Sequence, residues 1–213
     1  MTKRLYSENP YKQSFDAIVE KVQGEKVWLN QTCFFPRSGG QVGDMGALNN
    51  LKVIDTEFDS EKNIVHVLEC ISGLEIGDRV EGQINWDRRH KIMCIHSASH
   101  IMEHFLFQVF GDLKLIGSHL NEKYDKSTYV SEERFNSEEL KKVEDRANEF
   151  IAQGLPIETW TDEKKLYFKY WKCGPIEMPC GGTHPRNTDE IGKIKLKREN
   201  GGKGCEKVVT SLV

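Results

Sequence analysis

The spacing of apolar residues changes once along this 213-residue chain, close to Arg88. Before Arg88, short apolar runs alternate with polar turns, at residues 15–19, 26–29, 51–55, 64–68 and 76–84. Short strands at this spacing predict a small β-barrel. After Arg88, a helical repeat begins with Ile92, Ile95 and Ala98. The chain is therefore predicted to be α+β, with an N-terminal β-barrel domain over residues 1–87 and an α+β domain over residues 88–213.

The second domain is predicted to combine helices with an antiparallel sheet. Its apolar repeats predict one helix over residues 88–110 and another over residues 137–153, ended by Gly111 and Gly154 respectively. A shorter helix is predicted over residues 161–170. Strands are predicted over residues 113–120, 126–130, 156–160, 174–178, 191–197 and 205–213.

Composition excludes several classes of protein. The formal net charge is -3, so a global nucleic-acid signature is absent and any RNA contact must come from a local patch. No apolar run approaches the about 20 residues of a membrane span. The N-terminus lacks the apolar segment of a signal peptide, so we expect a cytoplasmic protein with no membrane partner. Its six cysteines are then expected to be reduced thiols or metal ligands.

Three histidines, His96, His100 and His104, recur every fourth residue in the stretch IHSASHIMEH. Residues four apart lie on one face of a helix, so two of these side chains can clamp one metal ion. A second pair, Cys180 and His184, lies in PCGGTH, where two glycines let a loop bring both donors to one point. Spacing alone leaves open whether these four residues form a metal site.

A competing pattern overlaps the same stretch. His100, Glu103 and His104 match H-x-x-E-H, the inverted zinc-peptidase signature with glutamate as general base. Such a short motif arises readily by chance, and His96–His100 lacks the glutamate of H-E-x-x-H. The interpretation that we prefer for His104 is a packed or surface histidine of the helix.

Two further segments carry less specific signals. Residues 34–46, FFPRSGGQVGDMG, fit neither a P-loop nor G-x-G-x-x-G, and they predict a glycine turn that binds an anion or only a β-turn. Basic residues cluster at 88–91 and in the tail, where Lys193, Lys195 and Lys197 alternate with apolar residues. A strand would present these lysines as one basic face, for RNA or merely for solvent.

Taken in order, FFPRSGGQVGD, HSASH and PCGGTHPRNT resemble the editing module of alanyl-tRNA synthetase and its freestanding form, the alanyl-tRNA editing proteins (AlaX). The resemblance covers almost the entire chain and is to the medium-length members, which have the N-terminal barrel. It implies a hydrolase with one Zn²⁺ per chain. The implied partner is tRNA(Ala) carrying the wrong amino acid, chiefly Ser-tRNA(Ala) and also Gly-tRNA(Ala).

The resemblance also implies site residues in an editing domain with a metal-bearing helix. The metal ligands and catalytic residues would be His96, His100, Cys180 and His184. Substrate contacts are expected at Ser38, Gly39, Gly40, Gln41, Gly117, Ser118, Gly181, Gly182 and Thr183, and tRNA contacts at Arg186 and Lys193. A site that hydrogen-bonds the serine hydroxyl would bind an alanyl group less well, because alanine lacks this hydroxyl. We expect residues 115–120 to form the wall of the amino-acid pocket that makes these hydrogen bonds.

Two other functions remain open from the sequence. One is a zinc metallopeptidase that uses His100, Glu103 and His104. The other is a non-catalytic RNA-binding module that zinc stabilises. Four protein ligands would close a tetrahedral zinc shell, whereas catalysis needs an open position or an expanded shell.

Overall fold

The fold was determined as a computed structural model, which describes residues 2–71, 73–165 and 168–213. The helices within these ranges are α1 (Leu5–Glu8), α2 (Trp86–Phe110) and α3 (Ser137–Ile151), with a 3₁₀ turn at Thr188–Glu190. The strands are β1 (Lys3–Arg4), β2 (Ser14–Gln23), β3 (Lys26–Leu29), β4 (Gln31–Thr32), β5 (Gly46–Leu48), β6 (Leu51–Phe58), β7 (Ile64–Leu68), β8 (Arg79–Ile84), β9 (Lys114–Leu120), β10 (Asp125–Val130), β11 (Ile157–Thr161), β12 (Lys169–Cys173), β13 (Ile176–Pro179), β14 (Ile194–Asn200) and β15 (Cys205–Leu212).

Contacts between Cα atoms divide the chain into two compact units. The first unit comprises residues 1–38 and 42–90, and the second comprises Gly39–Gln41 with Lys91–Val213. The sequence-based boundary between residues 87 and 88 stays a prediction. No sequence signal indicated that Gly39–Gln41 would group with the second unit.

The first unit is a closed antiparallel barrel with the strand order β2-β3-β7-β6-β5-β8. Alternate residues of β2, Phe15, Ala17 and Val19, point into its apolar core, as the period of two in the sequence predicted. The predicted fold class, a small barrel followed by an α+β domain, is confirmed.

A buried ion pair lies in this first unit. Arg89 is fully buried, and its guanidinium forms two hydrogen bonds to the carboxylate of Asp44. The same guanidinium donates to the backbone oxygens of Cys33 (2.8 Å) and Pro10 (3.1 Å). Arg89 is therefore inaccessible to RNA, and the prediction of an RNA-binding patch at residues 88–91 is wrong for this residue.

The second unit contains two antiparallel sheets, with strand orders β14-β15-β10-β9 and β11-β12-β13. Its core includes Leu140, Val143 and Ala147 on one face of α3 together with inward residues of the sheets. Asn136 caps α3, because its side-chain oxygen accepts the Glu139 N–H at 2.8 Å. Within the described ranges, no helix has the length and apolarity needed to cross a membrane.

The helix predicted over residues 161–170 is wrong. β11 ends at Thr161 and β12 begins at Lys169, and Thr161 pairs with Lys169 in an antiparallel hairpin. The Asp162 carboxylate accepts backbone N–H groups of the turn, and the Trp160 and Tyr170 rings stack across the strands at 5.4 Å. Local turn hydrogen bonds and cross-strand packing therefore replace the helix, and residues 166 and 167 of that prediction lie outside the described residues.

Candidate metal centre

Four side chains of the second unit bring their donor atoms together. His96 and His100 lie one turn apart on α2, whereas Cys180 and His184 belong to the loop after β13. All four donor atoms lie within 4.8 Å of one another. Cys180 Sγ is 3.5 Å from His96 Nε2 and 3.2 Å from His184 Nε2. Donors around a tetrahedral zinc ion are separated by about 3.3–3.8 Å, so this group could hold such an ion.

The outward hydrogen bonds of His96 and His184 leave the Nε2 atom of each ring directed at Cys180. His96 Nδ1 donates to Gln41 Oε1 at 3.0 Å, which leaves Nε2 without a proton. His184 Nδ1 bonds to Ser97 Oγ at 2.9 Å. His100 Nε2 is buried and has no hydrogen-bond partner among the described residues. Buried polar atoms normally have a partner, and a metal cation would be the partner of this nitrogen. The donor set therefore fits a metal ion.

Gln41 and Gly182 position His96. The Gln41 amide oxygen also accepts the Thr183 N–H at 3.2 Å, and its amide nitrogen donates to Thr183 Oγ1 at 3.0 Å. These bonds fix the amide orientation, so its oxygen faces His96. Gly182 passes so close to this ring that a Cβ there would lie 2.2 Å from His96 Cε1. The glycine is therefore required by the close approach of loop and helix.

Burial sets the protonation states of the donors. It lowers the pKa of His96 to about 4 and places the pKa values of His100 and His184 well below the usual histidine range. It also raises the pKa of the Cys180 thiol to about 11. The imidazoles are thus neutral and ready to coordinate, whereas the thiol needs a nearby cation to lose its proton.

His104 lies outside this donor group. Its Nε2 atom instead bonds to the Gln108 side chain at 2.7 Å, and its ring contacts Phe105. Burial and the charge of Arg146 lower its pKa. The H-x-x-E-H pattern therefore does not place both of its histidines in the four-donor group.

A small cavity of about 90 Å³ adjoins the donors. His96 and His100 form one side, and Gly39, Leu115 and Leu120 contribute to the walls. The remaining lining residues are polar: Ser99, Glu103, Ser118, Asp125, Ser127 and Tyr129.

The polar lining forms two hydrogen-bonded groups and one further hydroxyl. Asp125 accepts from Ser118 and Ser127, both at 2.8 Å, and Tyr129 donates to Glu103 at 3.2 Å. Burial raises the pKa values of both carboxyl groups. The hydroxyl of Ser99 is buried beside the Asp125 carboxylate and interacts with it, but it forms no well-aligned hydrogen bond among the described residues. This lining offers unused hydrogen-bonding capacity to a small polar group beside the donors.

Some of the residues predicted to contact substrate line the cavity, some support His96, and Gly40 lies beside the cavity wall. Gly39 and Ser118 line the cavity, while Gln41, Gly182 and Thr183 support His96 as described. Gly40 φ is +89°, and its carbonyl accepts the Leu120 N–H at 2.9 Å, next to the cavity wall.

The other predicted contacts do not line the cavity. Gly117 and Gly181 are exposed, as are Arg186 and Lys193, and exposed Ser38 belongs to the first unit. Their roles stay predictions.

Sequence reasoning missed several polar residues of this region. Ser97 supports His184, and Ser99, Asp125, Ser127 and Tyr129 line the cavity. The last three occur at alternate positions of DKSTY, a signal that they share one face of a strand. Sequence analysis predicted that strand from residue 126, which excluded Asp125.

Comparisons with known proteins identify families and relatives that this chain resembles. A family model of class II (A) tRNA synthetases matches residues 6–88, and one of the threonyl and alanyl tRNA synthetase second additional domain matches residues 172–207. The alanyl-tRNA editing protein AlaX-M of Pyrococcus horikoshii is 33% identical over 211 residues, covering 98% of this chain and 96% of the relative. AlaX-M of Saccharolobus solfataricus is 31% identical over an alignment of 241 residues, covering 98% of each chain. The alanine–tRNA ligase of Methanococcus maripaludis is 32% identical over 230 residues, but this match covers only 25% of the ligase.

Proposed function

This chain belongs to the alanyl-tRNA editing proteins of the AlaX-M type, which are aminoacyl-tRNA hydrolases, and we propose that it deacylates mischarged tRNA(Ala) with the help of one Zn²⁺. The observation that carries the proposal is the convergence of His96, His100, Cys180 and His184 beside a polar cavity. A freestanding editing protein needs both a hydrolytic centre and a pocket of the size of a small amino acid.

The donor set favours zinc over harder cations. Neutral imidazoles and a thiolate are nitrogen and sulfur ligands, which zinc accepts, whereas magnesium and calcium prefer oxygen. When bound, zinc supplies Lewis acidity, which polarises an ester carbonyl or lowers the pKa of a water molecule to about 7.

The chain itself supplies the positioning. Gln41 and Ser97 each hold one imidazole in a fixed orientation from outside the donor group. Trp171 covers the rings of His100 and His184 at centroid distances of 5.0 and 5.9 Å and donates from Nε1 to Ser97 at 3.3 Å. This apolar cover keeps bulk water away from one side of the site.

We assign the serine hydroxyl to the part of the cavity near Asp125. A carboxylate has about four acceptor positions, and Ser118 and Ser127 use two of them. The hydroxyl of Ser99 offers a further partner. Alanine places only a methyl group there, which forms no hydrogen bond and leaves buried polar groups unsatisfied, at a cost of about 1–3 kcal/mol. Glycine has no side chain and leaves room for a water molecule that can bond to these groups, so Gly-tRNA(Ala) is accepted as a second substrate.

The test is deacylation of Ser-tRNA(Ala), Gly-tRNA(Ala) and Ala-tRNA(Ala) by purified protein, before and after chelation and again after adding back zinc. We expect loss of serine and glycine with alanine spared, abolished by chelation and restored by zinc. Cys180→Ser is the matched variant, because it removes the thiolate with little change in volume. Its expected result is a loss of both bound zinc and activity.

The contrary results are equally defined. Stable Ser-tRNA(Ala) and Gly-tRNA(Ala) with one zinc bound per chain would contradict the editing proposal and favour the RNA-binding module. Full activity after complete metal removal, verified by elemental analysis, would contradict the role of zinc alone.

A further inference from the structure

The four-stranded sheet of the second unit has one face that the cavity and core do not use. Along β14, Ile194 and Leu196 are buried whereas Lys195 and Lys197 are exposed. Along β10, Asp125, Ser127 and Tyr129 are buried, and Lys126 and Thr128 point the other way. The inner face thus carries the cavity residues, and the outer face carries lysines.

Strand register brings these lysines together. Val209 of β15 pairs with Lys197 on one side and with Lys126 on the other. Lys207, two residues from Val209, therefore projects from the same face, as does Lys195 on β14. We call Lys126, Lys195, Lys197 and Lys207 the lysine face. Adjacent strands are about 4.8 Å apart and alternate residues about 6.8 Å apart, so the positions of Lys126, Lys197 and Lys207 lie within about 10 Å of each other, which is about one Debye length. Lys195 lies further out, about 14 Å from Lys207.

Acidic side chains neutralise this face only in part. Glu199, on the same face, lies 3.1 Å from Lys126 Nζ, and Glu144 of α3 lies 3.1 Å from Lys195 Nζ. Lys195 still exposes 61% of its side chain. The Glu199 side chain is 31% exposed, and ion pairs open to solvent contribute only about 0–1 kcal/mol, so an incoming phosphate can replace Glu199 beside Lys126. Glu144 is buried and also accepts the Leu196 N–H, so it stays paired with Lys195. A cluster of cations in a chain of net charge -3 indicates an anionic partner.

We propose that the lysine face binds the phosphodiester backbone of the RNA whose acylated end enters the cavity, an inference that rests on the proposed function. Tyr124 and His119 lie at one margin of this face, with Lys126 Nζ 4.9 Å from the Tyr124 ring centroid. Aromatic rings beside a basic surface suit single-stranded RNA, since a base can stack on them.

The order of the strands makes this arrangement feasible for one RNA molecule. β9 is the edge strand beside β10, and it contributes Leu115 and Ser118 to the cavity. The flexible acylated 3′ end of the RNA therefore needs to pass around only the edge strand β9 to run from the lysine face to the metal donors. The RNA backbone and the acyl group would then contact opposite faces of the same sheet.

The experiment compares the triple variant Lys126→Gln, Lys197→Gln, Lys207→Gln with a matched triple at exposed or half-exposed lysines elsewhere, Lys52→Gln, Lys142→Gln, Lys172→Gln. The probe is unacylated tRNA, with the dissociation constant measured across salt concentrations. Each phosphate contact contributes about 0.7–0.9 to the slope of log K against log salt, so the first triple should lower the slope by about 2–3. We expect binding to weaken at least about tenfold at physiological salt, with the control triple close to wild type.

Further control measurements distinguish the loss of an RNA-binding surface from a folding defect. Circular dichroism melts of both triples should match wild type, and the Lys→Arg triple at positions 126, 197 and 207 should bind tRNA as wild type does. For a short acylated 3′-terminal fragment, we expect unchanged kcat and KM, because the fragment is too small to reach the lysine face. For full-length Ser-tRNA(Ala), we expect KM to rise while kcat is unchanged.

The outcomes distinguish this inference from the proposed function. An unchanged salt slope in the lysine triple, equal losses in both triples, or preferential binding to anionic phospholipid vesicles over tRNA would overturn the lysine face as an RNA surface. If that happens while Ser-tRNA(Ala) is still deacylated, the proposed function stands. Lysine-dependent tRNA binding without turnover of any acylated tRNA would leave the surface standing and contradict the hydrolase.

Discussion

Gln41 Oε1 accepts a hydrogen bond from His96 Nδ1 at 3.0 Å, which determines the ring nitrogen that His96 directs at Cys180. Such partners of a metal ligand fix its tautomer and orientation, and losing them weakens metal binding by about 10–100-fold. Gln41→Ala should therefore lower zinc affinity by that factor, measured by competition with a chromogenic chelator. Gln108→Ala is the matched control, since Gln108 bonds to His104, which lies outside the donor group. Equal affinities in wild type and Gln41→Ala would mean that other contacts orient the ring.

Gly182 and its neighbour Gly181 offer a second matched pair. A Cβ at Gly182 would lie 2.2 Å from His96 Cε1 and 2.8 Å from Gln41 Oε1, whereas a Cβ at Gly181 meets nothing within 4 Å. Gly182→Ala must displace the ring or the loop, and we expect at least about a 100-fold loss of zinc affinity, more than for loss of one supporting hydrogen bond. Gly181→Ala should retain wild-type affinity. Comparable losses in both variants would show that loop flexibility, and not the close approach, matters here.

Ser97 and Ser99 are both buried, but only Ser97 forms well-aligned hydrogen bonds. Ser97 Oγ is shared by His184 Nδ1 and Trp171 Nε1, so Ser97→Ala leaves buried donors without an acceptor. We expect a loss of about 1–3 kcal/mol in the free energy of unfolding of the zinc-free protein. Ser99→Ala removes a hydroxyl whose interaction with Asp125 is poorly aligned, and it should change that free energy by less than about 0.5 kcal/mol. Urea unfolding measures both, and the reverse order would contradict this assignment of hydrogen bonds.

Asp125 is expected to determine the preference for serine. Removing its charge with Asp125→Asn weakens a hydrogen bond to the serine hydroxyl, so kcat/KM for Ser-tRNA(Ala) should fall by about 10–100-fold. The slow reaction of Ala-tRNA(Ala) should be unchanged, so the ratio between the two substrates falls. Asp112→Asn, at an exposed position, is the control. A proportional decrease for both substrates would mean that Asp125 acts on the reaction and not on selectivity.

Much of the fold could be predicted from the sequence because the periodicity is strong. The alternation in β2 and β8 and the apolar stripe of α3 depend on local spacing alone. The failure at residues 161–170 has a physical cause, since the cross-strand pairing of Thr161 with Lys169 is not encoded in local spacing. The grouping of His96, His100, Cys180 and His184, which the structure shows, was anticipated from the motifs that resemble the editing module, and their binding of a metal stays a prediction. The cavity was not anticipated, because Glu103 and Asp125 become neighbours only when α2 packs on the sheet.

His66 provides a pH-dependent prediction in the first unit. The Val27 backbone oxygen can only accept, so His66 Nδ1 donates to it at 3.2 Å. In the neutral ring His66 Nε2 then accepts from the Thr32 hydroxyl at 2.8 Å, and Thr32 Oγ1 in turn accepts from Phe34 N at 3.0 Å. Full burial lowers the pKa of His66 to about 4.

The unfolded chain therefore takes up a proton on His66 at a higher pH than the folded protein does. The stability that neutral His66 contributes is complete above the unfolded pKa of about 6.5 and is lost as pH falls towards 4, by about 3 kcal/mol over this window. His66→Gln should lower stability at pH 7 but flatten its decline between pH 6.5 and 4, measured by urea unfolding at intervals of pH. His119→Gln, at an exposed histidine, should keep the wild-type pH dependence. If His66→Gln declines as steeply as wild type, protonation of other groups accounts for the acid lability of this unit.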